Sequence, residues 1–149
     1  MSLKHYALIL AIIALMIIAI EARDTYTVDT VNSRQFGTYL TNETYFTLYR
    51  YLSDPQKGGI STCDGNCAKI WPAFYVEDLT LNPELKSRDF DSITREDGSK
   101  QLTFKGWPLY LYAGDTKPLE TNGQGVNGLW FVVEPQNLTR FLSSLQDIF

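Results

Sequence analysis

Residues 48–54 read LYRYLSD, and residues 109–115 read LYLYAGD. Tyr49, Tyr51 and Asp54 thus return as Tyr110, Tyr112 and Asp115, each 61 positions later. The likeness continues downstream. STCDGNCAKIWP (61–72) runs into Trp71 and Pro72, and TNGQGVNGLWF (121–131) runs into Trp130, now 59 positions apart. Each half therefore reads as an aromatic strand, an Asp-marked turn, a Gly-rich loop and a Trp. That is the mark of a tandem duplication. Neither half is long enough to bury a core alone, so the two are expected to pack their shared faces together.

The remaining patterns point to strands. TYTV (25–28) and FGTYLT (36–41) alternate polar and apolar residues, and FTLYRYL (46–52) ends at Asp54-Pro55, a turn opener. AFYVE (73–77) is a short apolar run, and FDSITREDGSKQLTF (90–104) reads as a hairpin with Asp97-Gly98 at its tip. WPLYLYA (107–113), opened by Trp107, is apolar on both faces and reads as a strand buried on both sides. LWFVVE (129–134) is the last strand. Leu138, Phe141, Leu142 and Leu145 recur at helical spacing and predict a short C-terminal helix. The expected fold is all-β: two pseudo-symmetric repeats, about 36–77 and 98–135, packed as one sandwich or barrel.

The first residues read differently. An apolar run from Tyr6 to Ile20 follows Lys4 and ends near the small residue Ala22. At about 1.5 Å per residue it reaches roughly 22 Å, short of the ~30 Å hydrocarbon core. This is the layout of a secretory signal peptide spanning 1–22, and the competing reading is an uncleaved N-terminal anchor. Either way residues 23–149 form one domain outside the cytoplasm. The net charge of −4 offers nothing to nucleic acid. A membrane enters only through the N-terminal segment, should it stay uncleaved.

Absent residues narrow the chemistry further. His5, Met1 and Met16 are the only histidine and methionines, and all lie in the apolar leader region. The mature chain so defined has neither imidazole nor thioether. His-based triads and acid–base pairs are excluded, as are His-containing zinc, copper and haem sites. No catalytic residue, metal ligand set or cofactor is expected.

Three features still invite chemistry. Asp54 and Asp115 could form a carboxylate pair for glycoside hydrolysis. Their place after a strand instead suggests turn closure, through nearby backbone N–H groups or a Tyr hydroxyl. Duplicated acids would also share one environment, whereas an acid and a nucleophile need two. Cys63 and Cys67 are the only cysteines; in an exported protein they are most simply a disulfide. A copper(I)-binding or redox-cycling dithiol is the sharper alternative. TNGQGVNG (121–128) lacks P-loop or EF-hand spacing, leaving tight turns or a calcium site shared with Asp115. Asn42 and Asn137 each begin a glycosylation sequon.

Taken in order, LYRYLSD, STCDGNCAKIWP, GWPLYLYAGD and TNGQGVNGLWFVV resemble the secreted-repeat family of predicted lipoproteins that carry a Tyr-x-(Phe/Trp/Tyr)-x-x-Asp motif. The resemblance covers residues 36–135 and implies an exported, surface-associated protein whose biochemical role is not established. Family members are often lipid-anchored through a cysteine at the signal-peptide end; here no cysteine precedes Cys63. Three function classes follow. The favoured one is a non-catalytic cell-envelope protein, structural or adhesive, with other cell-surface components as partners. The others are a binding module for a small ligand, glycan or metal, and a redox accessory using Cys63 and Cys67.

Overall fold

The computed structural model describes residues 25–56 and 58–135, together with His5. Apart from His5, the expected signal or anchor segment lies outside them, as do the expected C-terminal helix and Asn137.

Seven short strands carry the described chain. Strands β1 (Val28–Ser33) and β2 (Gly37–Asn42) form a hairpin, in register from Val28↔Asn42 to Ser33↔Gly37. Strands β4 (Phe90–Thr94) and β5 (Lys100–Phe104) form the second hairpin, and β6 (Trp107–Pro108) adds to β5. The tip of that hairpin is where the sequence placed it, with Gly98 at φ +82°. Between them, β3 (Tyr49–Tyr51) pairs with β7 (Trp130–Val132), joining the start of one repeat to the end of the other. A single helical turn and a half, α1 (Gly65–Ile70), leads into Trp71. The three small sheets hold two, two and three strands and do not close into a barrel.

The period of two sorts neighbouring residues into two cores. Leu40, Leu48, Leu102 and Leu109 enter an aliphatic core with Phe74 and Val133. Their sequence neighbours Tyr39, Tyr49 and Tyr110 enter an aromatic core with Trp71 and Trp130. The strand expected over 107–113 holds only in part. Leu109 and Tyr110 are fully buried, Leu111 and Tyr112 half-buried, and Ala113 exposed. Regular pairing stops after Pro108 because Tyr110 then bonds to two different segments, bridging both Tyr49 and Ala73.

Backbone bonds show how the halves interlock. Leu48 N donates to Leu40 O, Leu40 N to Val133 O, and Val133 N to Leu48 O, at 2.8–3.0 Å. The second half repeats the triangle: Leu109 N to Leu102 O, Leu102 N to Phe74 O, and Phe74 N to Leu109 O, at 2.8–2.9 Å. Val133 ends the second repeat yet serves the first, and Phe74 ends the first yet serves the second. Each repeat thus lends its last segment to the other. At the centre, Tyr49 and Tyr110 exchange backbone bonds of 2.8 and 2.9 Å. A pseudo-two-fold axis runs between them.

Candidate functional site

The repeated Tyr and Asp residues converge on that axis, and they do so crosswise. Tyr49 OH donates to Asp115 Oδ2 at 2.7 Å, and Tyr110 OH donates to Asp54 Oδ2 at 2.6 Å. Each carboxylate's other oxygen closes its own turn. Asp54 Oδ1 accepts from Thr62 N and Thr62 Oγ1, both at 2.7 Å, and Asp115 Oδ1 accepts from Asn122 N at 2.9 Å. The motif therefore spends its acid twice, on its own loop and on the partner repeat's tyrosine. Sequence reasoning had only the nearer tyrosine in view, since spacing along one strand carries no hint of an exchange between halves.

Burial sets the electrostatics here. Asp54 and Asp115 are both buried. Burial pushes the Asp115 carboxyl up from the ordinary range, while the Tyr49 hydroxyl and the Asn122 amide hold it down. The Tyr49 and Tyr110 phenols are pushed far up, first by burial and then by the carboxylate each one bonds. Each phenol is thereby held as a donor.

Around these bonds the rings form a column. Tyr112 stacks on Trp71 at 4.2 Å, Trp71 on Trp130 at 3.7 Å and 1°, and Trp130 on Tyr51 at 4.3 Å. The order again crosses the repeats, with Tyr112 of the second on Trp71 of the first. Tyr49 meets Trp71 edge-on at 5.4 Å, and Tyr110 meets Trp130 likewise at 5.1 Å, the geometry that ring quadrupoles favour. Gly123 is required beside the column, because a Cβ there would lie 2.8 Å from both Trp71 and Tyr49. The turn bonds match Thr62 with Asn122, so the first repeat has Cys63 where the second has Gly123.

Cys63 and Cys67 are joined as a disulfide, with Cα atoms 5.2 Å apart. The bridge spans the start of α1 and packs in the aromatic core with Trp71. Cys63 is fully buried. The residue missed by sequence is Arg95, from the β4–β5 hairpin. Its guanidinium donates to Ser61 Oγ and Gln101 Oε1, each at 2.6 Å, and to Cys63 O at 2.5 Å. Ser61 Oγ lies 2.7 Å from Tyr110 OH. With Tyr110 donating to Asp54, the order Arg95 to Ser61 to Tyr110 to Asp54 runs from a cation to a carboxylate. Nothing in the local sequence of a hairpin turn signals that reach.

The other sequence candidates lie outside the column. Trp107 is half-buried on β6, beneath the Arg50 guanidinium at 5.4 Å. Pro72 offers its carbonyl to Leu111 N at 2.8 Å. Asn42 is buried, and its Oδ1 accepts from Thr44 N, Thr44 Oγ1 and Phe46 N. An asparagine folded into its own turn in this way acts as a cap and is poorly presented to a transferase. In the Gly-rich loop, the carbonyls of Thr121, Gly123 and Gly125 accept amides of the same loop, and Asp115 is already committed. Among the described residues, no three His, Cys, Asp or Glu side chains converge on a point that could hold a metal.

A family model described as a secreted repeat of unknown function matches residues 30–74 and again residues 91–134. The two matches each begin one strand earlier than the repeat seen in sequence, taking in β1 and β4. No curated protein and no solved structure matches the chain.

Proposed function

Because this chain belongs to the family of secreted repeats of unknown function, we propose that it is a non-catalytic structural or adhesive protein of the cell envelope, acting at the cell surface on other surface components. One observation carries the reading. Both repeated carboxylates are buried, and every oxygen of both already accepts a bond that ties a loop or joins the halves. A catalytic acid needs an open face toward substrate and a proton to exchange. These two have neither, and they work as clamps. The disulfide adds a covalent tie suited to an oxidising exterior.

Asp54→Asn and Asp115→Asn test this together. An amide cannot accept on both sides, so one orientation or the other sets its NH2 against a donor. Each variant is expected to lose about 2–3 kcal/mol of stability, with a similar fall in melting temperature at the two copies. Elemental analysis and glycan binding should not change between variant and parent. If Asp115→Asn kept its melting temperature but lost binding of a metal or a sugar, the repeated Asp would be a ligand and this reading would fail.

A further inference from the structure

The halves part company at one pair of places, where a hairpin turn meets the loop beyond the Asp. In one, Leu119 N donates to Tyr45 O at 2.8 Å, and both residues adopt left-handed backbone, with φ of +67° and +63°. Leucine and tyrosine rarely take that conformation. Neither side chain enters a core; Leu119 is 53% exposed and Tyr45 42%. In the other half, the residues 61 positions away from these two are Gly106 and Gly58, at φ of +83° and +114°. These loops also touch, since a Cβ on Gly106 would collide with the Gln56 carbonyl oxygen. Glycine therefore suffices for this turn pair. The strained, exposed Tyr45 and Leu119 are not demanded by the fold, and such outliers point to a use.

What the glycine side offers in their stead is a cavity of about 620 Å³, lined by Gln56, Gly58, Gly59, Ile93 and Gly106. It occupies the place where a tyrosine and a leucine would project if the two halves were alike. We propose that the Tyr45–Leu119 knob of one molecule seats in this cavity of the next, so that the chain associates head to tail with copies of itself. Charge supports the match. Glu43 and Lys117 stand exposed beside the knob, and Arg88, Lys105 and Asp91 border the cavity. Knob and cavity lie on opposite repeats of one molecule, so the contact is heterologous and leaves a knob and a cavity open at either end. Two anchoring side chains make a small interface, which forms as the protein becomes concentrated. The surface is separate from the ring column, and its failure would leave the clamp reading standing.

Sedimentation velocity on the intact, oxidised protein decides the matter. The average mass of the parent should rise with concentration. Tyr45→Gly with Leu119→Gly removes the knob and should leave a monomer whose melting temperature is kept or raised. Asp91→Trp places a ring on the exposed cavity rim, away from either core, and should likewise leave a monomer with an unchanged near-ultraviolet circular dichroism spectrum. Mixed in equal amounts, the two variants should form a one-to-one dimer and nothing larger, because one knob and one cavity survive between them. A parent that stays monomeric at every concentration overturns the proposal. So does continued assembly of either variant alone, or a mixture that remains monomeric.

Discussion

Trp71→Ala is expected to lower the melting temperature by roughly 15–20 °C. Trp71 is 4% exposed and sits between two other rings, stacked on Trp130 and Tyr112, with Tyr49 against it edge-on. Removing a buried Trp side chain costs about 3–5 kcal/mol through lost burial and the cavity left behind. Lost ring pairing adds about 0.5–1.5 kcal/mol per contact. A domain of this size has a total stability of about 5–15 kcal/mol, and each kcal/mol moves the midpoint by about 4 °C. Trp130→Ala should match it, being the same position in the other repeat. Tyr112→Ala should cost distinctly less, since Tyr112 closes the column at a half-buried end. Thermal unfolding followed by circular dichroism ranks the three. Equal effects at Trp71 and Tyr112 would argue against a column with a buried centre.

Alkaline pH is the second large lever. The Tyr49 and Tyr110 phenols are buried donors to carboxylates, and their native pKa values lie well above the unfolded value of about 10. The native state therefore holds protons that the unfolded state releases. Their contribution is complete below about pH 10 and is lost as pH rises toward the raised native values. The loss runs at about 1.4 kcal/mol per pH unit for each phenol, or about 2.7 for the pair. Against a stability of about 5–15 kcal/mol, cooperative unfolding should follow within a few pH units above 10. Tyr49→Phe should flatten the slope of stability against pH by about half, whatever it does to stability near neutrality. The measurement is denaturant unfolding at a series of alkaline pH values. Smooth ionisation of both phenols near pH 10 with the fold retained would contradict their buried, clamped state.

Much of this was legible before any coordinates, and the reason is the duplication. A repeat prints its essential positions twice, so Tyr49/Tyr110, Tyr51/Tyr112, Asp54/Asp115 and Trp71/Trp130 stand out from residues that only fill space. Strand identity was readable from the alternation that sends Leu48 and Tyr49 into different cores. What one sequence cannot express is which copy of a residue meets which. Asp54 bonds the tyrosine 56 positions away, although Tyr49 and Tyr51 are near neighbours in the chain. That exchange depends on the crossing of Phe74 and Val133 into opposite halves, a long-range property of the backbone. Arg95 was hidden for a similar reason, since an arginine in a hairpin turn looks solvated until the fold sets Ser61 and Cys63 beside it. The short helix α1 was read as plain loop because its six residues include Gly65 and Asn66, both weak helix formers.

The central claim is that the two repeats hold each other through exchanged Tyr–Asp bonds, and a double-mutant cycle tests it most directly. Tyr49→Phe and Asp115→Asn are made singly and together, beside a control cycle of Tyr49→Phe with Asp54→Asn. The exchanged bond predicts a coupling of about 1–3 kcal/mol between Tyr49 and Asp115, the range for a buried hydrogen bond to a charged acceptor. It predicts additivity, within about 0.5 kcal/mol, between Tyr49 and Asp54 of the same repeat. Coupling in the control cycle with additivity between Tyr49 and Asp115 would contradict the exchange and make each repeat a self-contained unit.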